Sequence, residues 1–230
     1  FGYVQLDNYA IWVIADGYDG EEGANIASKL SVESAIEYFT AHPRFNKEVI
    51  KELFKYTNDT IKQKQEEMER YSLMHTSLLI VISNYNKILY GNIGNTRLYH
   101  IQGGYIVNQS SDDSVSQLLV QERALDIKDI KSHRQRNDLL QAIGDYSKVK
   151  PTISNEIKLL EGDKICLTTR GAWENIDEHE IEVELSKFPE RELWIDSIKR
   201  KDGKHLRKTA FGVGESENDA CFVDFGLLLL

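Results

Sequence analysis

The sequence predicts an α+β domain with its strands grouped apart from its helices. Three observations carry that expectation. A short apolar run, Ile11-Trp12-Val13-Ile14-Ala15, stops at the acidic, glycine-rich turn Asp16-Gly17-Tyr18-Asp19-Gly20 and leads into a helical pattern. Short apolar segments between residues 76 and 107 are separated by asparagine and glycine turns. Two long helical patterns precede those segments, and strand character returns after residue 151. This order suits helices covering sheets better than a doubly wound parallel sheet.

Taken in turn, residues 3–6 and 9–15 read as two strands around Asp7-Asn8. From Glu21 to about Thr40, Ile26, Leu30, Ala35, Ile36 and Phe39 follow helical spacing, and His42-Pro43 ends the element. Glu21 and Glu22 are expected in its first turn, where the helix dipole favours negative charge. A second helix is expected from Asn46 to Tyr71, with Val49, Ile50, Leu53, Phe54, Thr57 and Ile61 as its apolar stripe. Thr76–Ser83, Lys87–Ile93, Thr96–Ile101 and Tyr105–Val107 follow as an antiparallel meander. Residues 114–142 read as mostly helical, anchored by Val115, Leu118, Leu119, Ile127 and Ile130. Strands are expected at Thr152–Leu159 and Lys164–Thr169, with Leu160-Glu161-Gly162-Asp163 as the turn between them. Residues 177–186 and 190–201 read as helices, 202–217 as a polar loop, and Ala220–Leu228 as the last strand.

No Pro/Gly-rich linker divides the 230 residues, so one domain spanning 1–230 is expected. The net charge of −9 argues against a nucleic-acid footprint and an anionic membrane surface. No run is long and apolar enough to span a bilayer. Cys166 and Cys221 each lie in an apolar run and read as core thiols of a reduced, cytoplasmic protein. The six histidines lack zinc-type spacing. The chain opens on Phe1 and closes on a run of leucines, and is expected to be a piece of a longer protein.

Asp16 ends a buried strand beside accessible carbonyls, which suits a hard cation and equally suits a plain strand-to-helix turn. Segments elsewhere narrow the choice. Trp12–Ala27 (WVIADGYDGEEGANIA) is similar to a strand ending in DGxGG, and Thr76–Ile82 to a TTxxx strand. Tyr90–Tyr99 (YGNIGNTRLY) resembles an NxGDSRxY hairpin, and Gln109–Ser114 stands where T-x-D-H-S is found. Leu140–Gly144 (LQAIG), Leu160–Trp173 (LEGDKICLTTRGAW) and Ser216–Val223 complete the series. In this order the segments resemble the type 2C metal-dependent Ser/Thr protein phosphatases, the PPM family. The resemblance implies a four-layer α-β-β-α sandwich, two mostly antiparallel sheets flanked by helices. It also implies Mn²⁺ or Mg²⁺ ions, held by carboxylates, that activate a water against a phosphoserine or phosphothreonine.

Carried over position by position, most of the ligands differ. Asp16 matches the bridging aspartate, and Gly17 the glycine that contributes a carbonyl. The remaining acidic positions are Asn95, Arg170 and Asn218, and Asp113 stands at the D-H-S histidine. Four aspartates would carry −4, whereas the residues present carry no net formal charge. At an effective dielectric of about 20, a unit-charge contact at roughly 4 Å is worth about 4 kcal/mol, so Arg170 opposes cation binding strongly. Rescue would need Asp19 to lean in from its loop, or Asp219 to replace Asn218 through a one-residue strand slip that the burial of Cys221 and Val223 opposes.

The expectation is therefore a degenerate, pseudophosphatase-like member with no catalytic residues and no cofactor. Asp16 and Gly17 are vestigial, and Arg170 pairs with Asp16. It would serve as a binding or regulatory module in bacterial-style signalling. Its partner would be a protein, a phosphoprotein or another domain of the same longer chain. The alternative is an active Mn²⁺ or Mg²⁺ phosphatase using Asp16, Asp19 and Asp219. Arg97 reads as structural, Trp173 as core, and the basic Lys199–Lys208 run as a solvated loop.

Overall fold

The apolar runs become two mostly antiparallel sheets, each inside its own compact unit and each packed by helices. The computed structural model describes residues 1–18, 21–145 and 148–187 in full, and 210–211 and 219–224 as strand backbone. One unit holds residues 1–96 and 111–158, the other 97–110 and 159–230.

In the first unit, β1 (Gly2–Gln5), β2 (Ala10–Gly17), β3 (Thr76–Ser83) and β4 (Lys87–Ile93) are neighbours in that order. All eight residues of β3 are buried, which explains why its hydrophobic run is continuous instead of alternating. The helices α1 (Ala24–Ala41) and α2 (Lys47–Glu67) cover one face. Phe39, Leu53, Phe54 and Ile61 from the helices meet Ile11, Val13, Leu78, Ile80 and Ile82 from the strands in one core. Asn46 caps α2 by accepting from the Val49 N–H at 2.8 Å.

The second unit is built on β9 (Lys164–Thr168), which pairs antiparallel with β5 (Arg97–Gln102) and β11 (Asp219–Asp224). β6 (Tyr105–Gln109) closes a hairpin onto β5, and β10 (Ala210–Phe211) runs parallel to β11. The short helix α4 (Arg170–Trp173) follows β9, and α5 (Glu178–Lys187) packs against β6.

Several expectations need correction. The meander breaks between β4 and β5, which belong to different sheets. Gly94, at φ +89°, turns the chain away there, and a Cβ on it would stand 2.5 Å from the Ser77 Cβ. Residues 114–142 are mostly not helical. They form α3 (Val115–Gln121) and a 3₁₀ stretch at Ile127–Ser132. α3 is stopped by Arg123 at φ 60°, with the Ala124 N–H returning to the Leu119 carbonyl at 2.8 Å, a Schellman closure. The expected strand 152–159 is split into β7 (Thr152–Ile153) and β8 (Ile157–Lys158). Ser154 causes the split, because its hydroxyl accepts from the Tyr90 N–H at 3.0 Å in place of a ladder bond. β10 interrupts the expected 202–217 loop. Glu21 and Glu22 precede α1 and are not in its first turn. The expected helix at 190–201 and the Lys199–Lys208 run lie outside the described residues.

Phe54 is fully buried against the Gly91 backbone and the β-strand core. Phe54→Ala should cost about 3–5 kcal/mol in urea unfolding. A loss below about 1 kcal/mol would contradict this packing.

Candidate functional site

The C-terminal end of β2 delivers Asp16 and Gly17 opposite Ser77 and Thr76 in the β3 register. Ser77 Oγ donates to the Asp16 carbonyl at 3.2 Å, which fixes the strand end. Gly17 is glycine for a steric reason, since a Cβ there would collide with the Ala24 carbonyl at the start of α1. The chain then turns, with the Tyr18 N–H donating to the His75 carbonyl at 3.0 Å and the Tyr18 hydroxyl to the Asn137 carbonyl at 3.1 Å.

Beside this end, Asn95 is buried at the close of β4. The Asn92 carboxamide accepts from the Thr96 hydroxyl at 2.9 Å and donates to the Ser111 carbonyl at 3.2 Å. The Asp113 N–H donates to the Gly94 carbonyl at 2.7 Å. Burial pushes the Asp113 carboxyl above its usual range, and a hydrogen bond from Gln141 offsets this in part. One buried Asp113 oxygen, Oδ2, has no hydrogen-bond partner.

In the second unit, β9 ends at Thr168, and Arg170 opens α4. Arg170 Nη1 stands 3.5 Å from Glu174 Oε2, with both side chains less than a fifth exposed. Arg97 is buried, its guanidinium lying 3.5 Å over the Trp173 ring and 3.5 Å from Glu178 Oε1. Burial drives the Tyr99 phenol well above its ordinary range, and its hydroxyl contacts the same Glu178 oxygen at 3.5 Å. Trp173 is core, as the sequence implies, and Arg97 is buried against it.

The chain matches the family model described as Protein phosphatase 2C over residues 1–195. The chain belongs to the protein phosphatase 2C family. It is similar to protein phosphatase PhpP of Streptococcus pneumoniae, at 26% identity over 191 residues, covering 81% of this chain and 77% of PhpP. Among solved structures, Ser/Thr phosphatase Stp1 from Staphylococcus aureus aligns with a TM-score of 0.82 at 21% identity, covering 96% of this chain and 85% of that one. The catalytic domain of the Ser/Thr protein phosphatase PstP, solved with two manganese ions, aligns with a TM-score of 0.72 at 19% identity, covering 86% and 82%. The two mostly antiparallel sheets with their helices are the protein phosphatase 2C fold.

In this protein phosphatase 2C domain the implied ligand positions fall on both units. Asp16, Gly17 and Asn95 belong to the first and Arg170 to the second. Asp19 and Asn218 lie outside the described residues, and Asp219 is described only as the first residue of β11. Among the described residues, no group of three or more His, Cys, Asp or Glu side chains is placed to hold a metal ion. No described helix is long and apolar enough to cross a membrane.

Two charged groupings escaped the sequence reading. His75 lies against Glu21 and Asp145, and buried His100 Nε2 contacts buried Asp163 Oδ2 at 2.8 Å. The residues of each are too far apart in sequence for spacing to show them. Only the G-D of the Leu160–Asp163 turn hinted that Asp163 had a fixed role; its Oδ2 also accepts from the Leu160 N–H at 2.9 Å.

A carboxyl whose folded pKa is raised contributes stability below its unfolded pKa and loses it as pH rises through the folded value. Ionised Asp113, with Oδ2 unpartnered, therefore weakens the fold at neutral pH. Asp113→Asn should raise unfolding stability at neutral pH by on the order of 1 kcal/mol, and the gain should vanish on acidification. An equal gain at both ends of a urea-melt pH series would contradict that cause.

Proposed function

We propose that this domain is a non-catalytic member of the protein phosphatase 2C family, a binding or regulatory module in signalling. The observation that carries the reading is the donor chemistry at the implied ligand positions. Asp16 supplies one carboxylate, Asn95 a neutral amide and Arg170 a fixed cation that cannot lose its proton. Two divalent cations bring a charge that this set does not neutralise, and hard cations are held by several anionic or carbonyl oxygens. The residues present do not fit a two-metal centre. The partner proposed is a protein, either a phosphoprotein or another domain of a longer chain. A cytoplasmic setting is proposed from the thiols Cys166 and Cys221, of which Cys166 is buried.

The Asp16–Arg170 ion pair belongs to the same proposal. A double-mutant cycle on Asp16→Ala and Arg170→Ala should give a coupling of about 1 kcal/mol in stability. Additive losses would remove the pair from the account.

A second reading is an active phosphatase with an altered ligand set of Asp16, Asp19 and Asp219. It is favoured by the names of the relatives, which are phosphatases. Calorimetric titration with Mn²⁺, run beside hydrolysis of an aryl phosphate, separates the two. We expect neither a micromolar-class site nor turnover. The triple change Asn95→Asp, Arg170→Asp and Asn218→Asp should strengthen Mn²⁺ binding by at least roughly tenfold, the effect of about 1.4 kcal/mol. Turnover by the unaltered chain would establish the second reading.

A further inference from the structure

The excursion from Ser114 to Leu139 carries a stretch whose charge is opposite in sign to the whole chain. Residues 123–136 hold five Arg or Lys against two Asp, in a chain of formal net charge −9, with Glu122 and Asp138 flanking them. The excursion is a held lobe, closed where it leaves and where it returns. Ser114 and Leu139 form a β-bridge, and the Val115 N–H donates to the Asp138 carbonyl at 2.8 Å. The Leu140 N–H donates to the Asp113 carbonyl at 3.0 Å. Inside the lobe, Ser116 Oγ lies 3.3 Å from His133 Nδ1, which sets the end of the 3₁₀ stretch beside the start of α3.

Two of the five cations stand unpaired. Arg123 and Arg134 are both exposed, and among the described residues neither guanidinium has a carboxylate or carbonyl within bonding distance. Lys128 meets Asp126 at 3.3 Å with the side chains 75% and 73% exposed, a pairing worth little in water. In the 3₁₀ stretch Lys128 and Lys131 eclipse one another at i and i+3. Arg123 follows the last turn of α3, whereas Arg134 lies near its start, beside the Ser116–His133 contact. At about 1.5 Å per residue, the length of α3 holds these two backbone positions roughly 10 Å apart. The cations therefore form a stripe, and Ile127, 69% exposed, stands among them.

Arg123 is also strained. Its φ of 60° is a left-handed conformation that glycine or asparagine adopts at lower cost after a helix. Core packing does not call for arginine there, because the residue is exposed. A costly conformation borne by an exposed cation is accounted for by a contact beyond the chain.

The surrounding charge narrows what that contact is. A long polyanion such as nucleic acid would extend past Glu122 and Asp138 onto a chain of net negative charge. A single phosphate is held best by donors that converge, and these are spread. Carboxylates spaced along a short peptide match spread cations, and an apolar side chain between them would meet Ile127.

We propose that the 123–136 stripe docks a short acidic segment of a protein partner, with Arg123 and Arg134 as its anchors. The stripe uses none of the implied ligand positions. It rests on the binding-module reading only for the presence of a protein partner, so Mn²⁺ binding or turnover would leave it standing.

Fluorescence anisotropy on the 230-residue chain, without added metal, tests the stripe. The probe is a labelled peptide of glutamate runs spaced by single leucines. The wild-type chain should bind it, more weakly as salt rises. Arg123→Glu with Arg134→Glu should weaken binding at least roughly tenfold. Lys29→Glu with Lys55→Glu makes the same change in net charge on side chains 76% exposed in α1 and α2. That pair should leave binding within about twofold. Arg123→Gly should weaken binding roughly threefold without lowering the thermal unfolding midpoint, because glycine relieves the strain. No binding by the wild-type chain, an equal loss in the two double variants, or equally tight capture of oligo(dT) would overturn the proposal. Should the double arginine variant not fold, undiminished binding by Arg123→Gly would do so.

Discussion

The antiparallel pairing of β2 with β3 is the constraint on which the rest of the first unit depends. It runs without a break from Ala10↔Ser83 to Gly17↔Thr76, so the register fixes where Asp16 stands and where His75 leaves the sheet. A slip of one residue would turn Ile11 and Val13 out of the core they share with Leu78 and Ile80. Gly17 ends the pairing at a point where only hydrogen fits against the Ala24 carbonyl, and α1 must begin there. The strand end and the helix start are set together by one steric contact.

This explains why much of the fold was readable in the residues. β3 and β4 matched their apolar runs because burial is complete in β3 and spares only Lys87 in β4, and α2 matched its stripe because Ile50, Leu53, Phe54 and Ile61 all face one core. The segments that were misread are those where a single side-chain hydrogen bond or a positive-φ residue overrides the apolar pattern. Ser154 splits a strand by hydrogen bonding to Tyr90, and Arg123 ends a helix in a conformation ordinarily left to glycine or asparagine. Glu21 looked like a helix-dipole residue and is instead bound to His75, more than fifty positions away. Nothing local in the sequence encodes that contact.

The candidate site was legible in a different sense. Family position, not periodicity, singled out Asp16, Asn95 and Arg170. The scaffold around them is held by packing and hydrogen bonds: Ser77 fixes the Asp16 carbonyl, and Arg97 on Trp173 braces α4 within the second unit. Scaffold and donor set are therefore separable. Packing fixes the first, while the chemistry of the second rests on a few side chains.

The central proposal is that this scaffold does not assemble a two-metal centre. Anomalous diffraction from a crystal grown in excess Mn²⁺ tests it most directly. The account predicts no manganese peak within coordination distance of the Asp16 carboxylate. Two adjacent peaks there would contradict it.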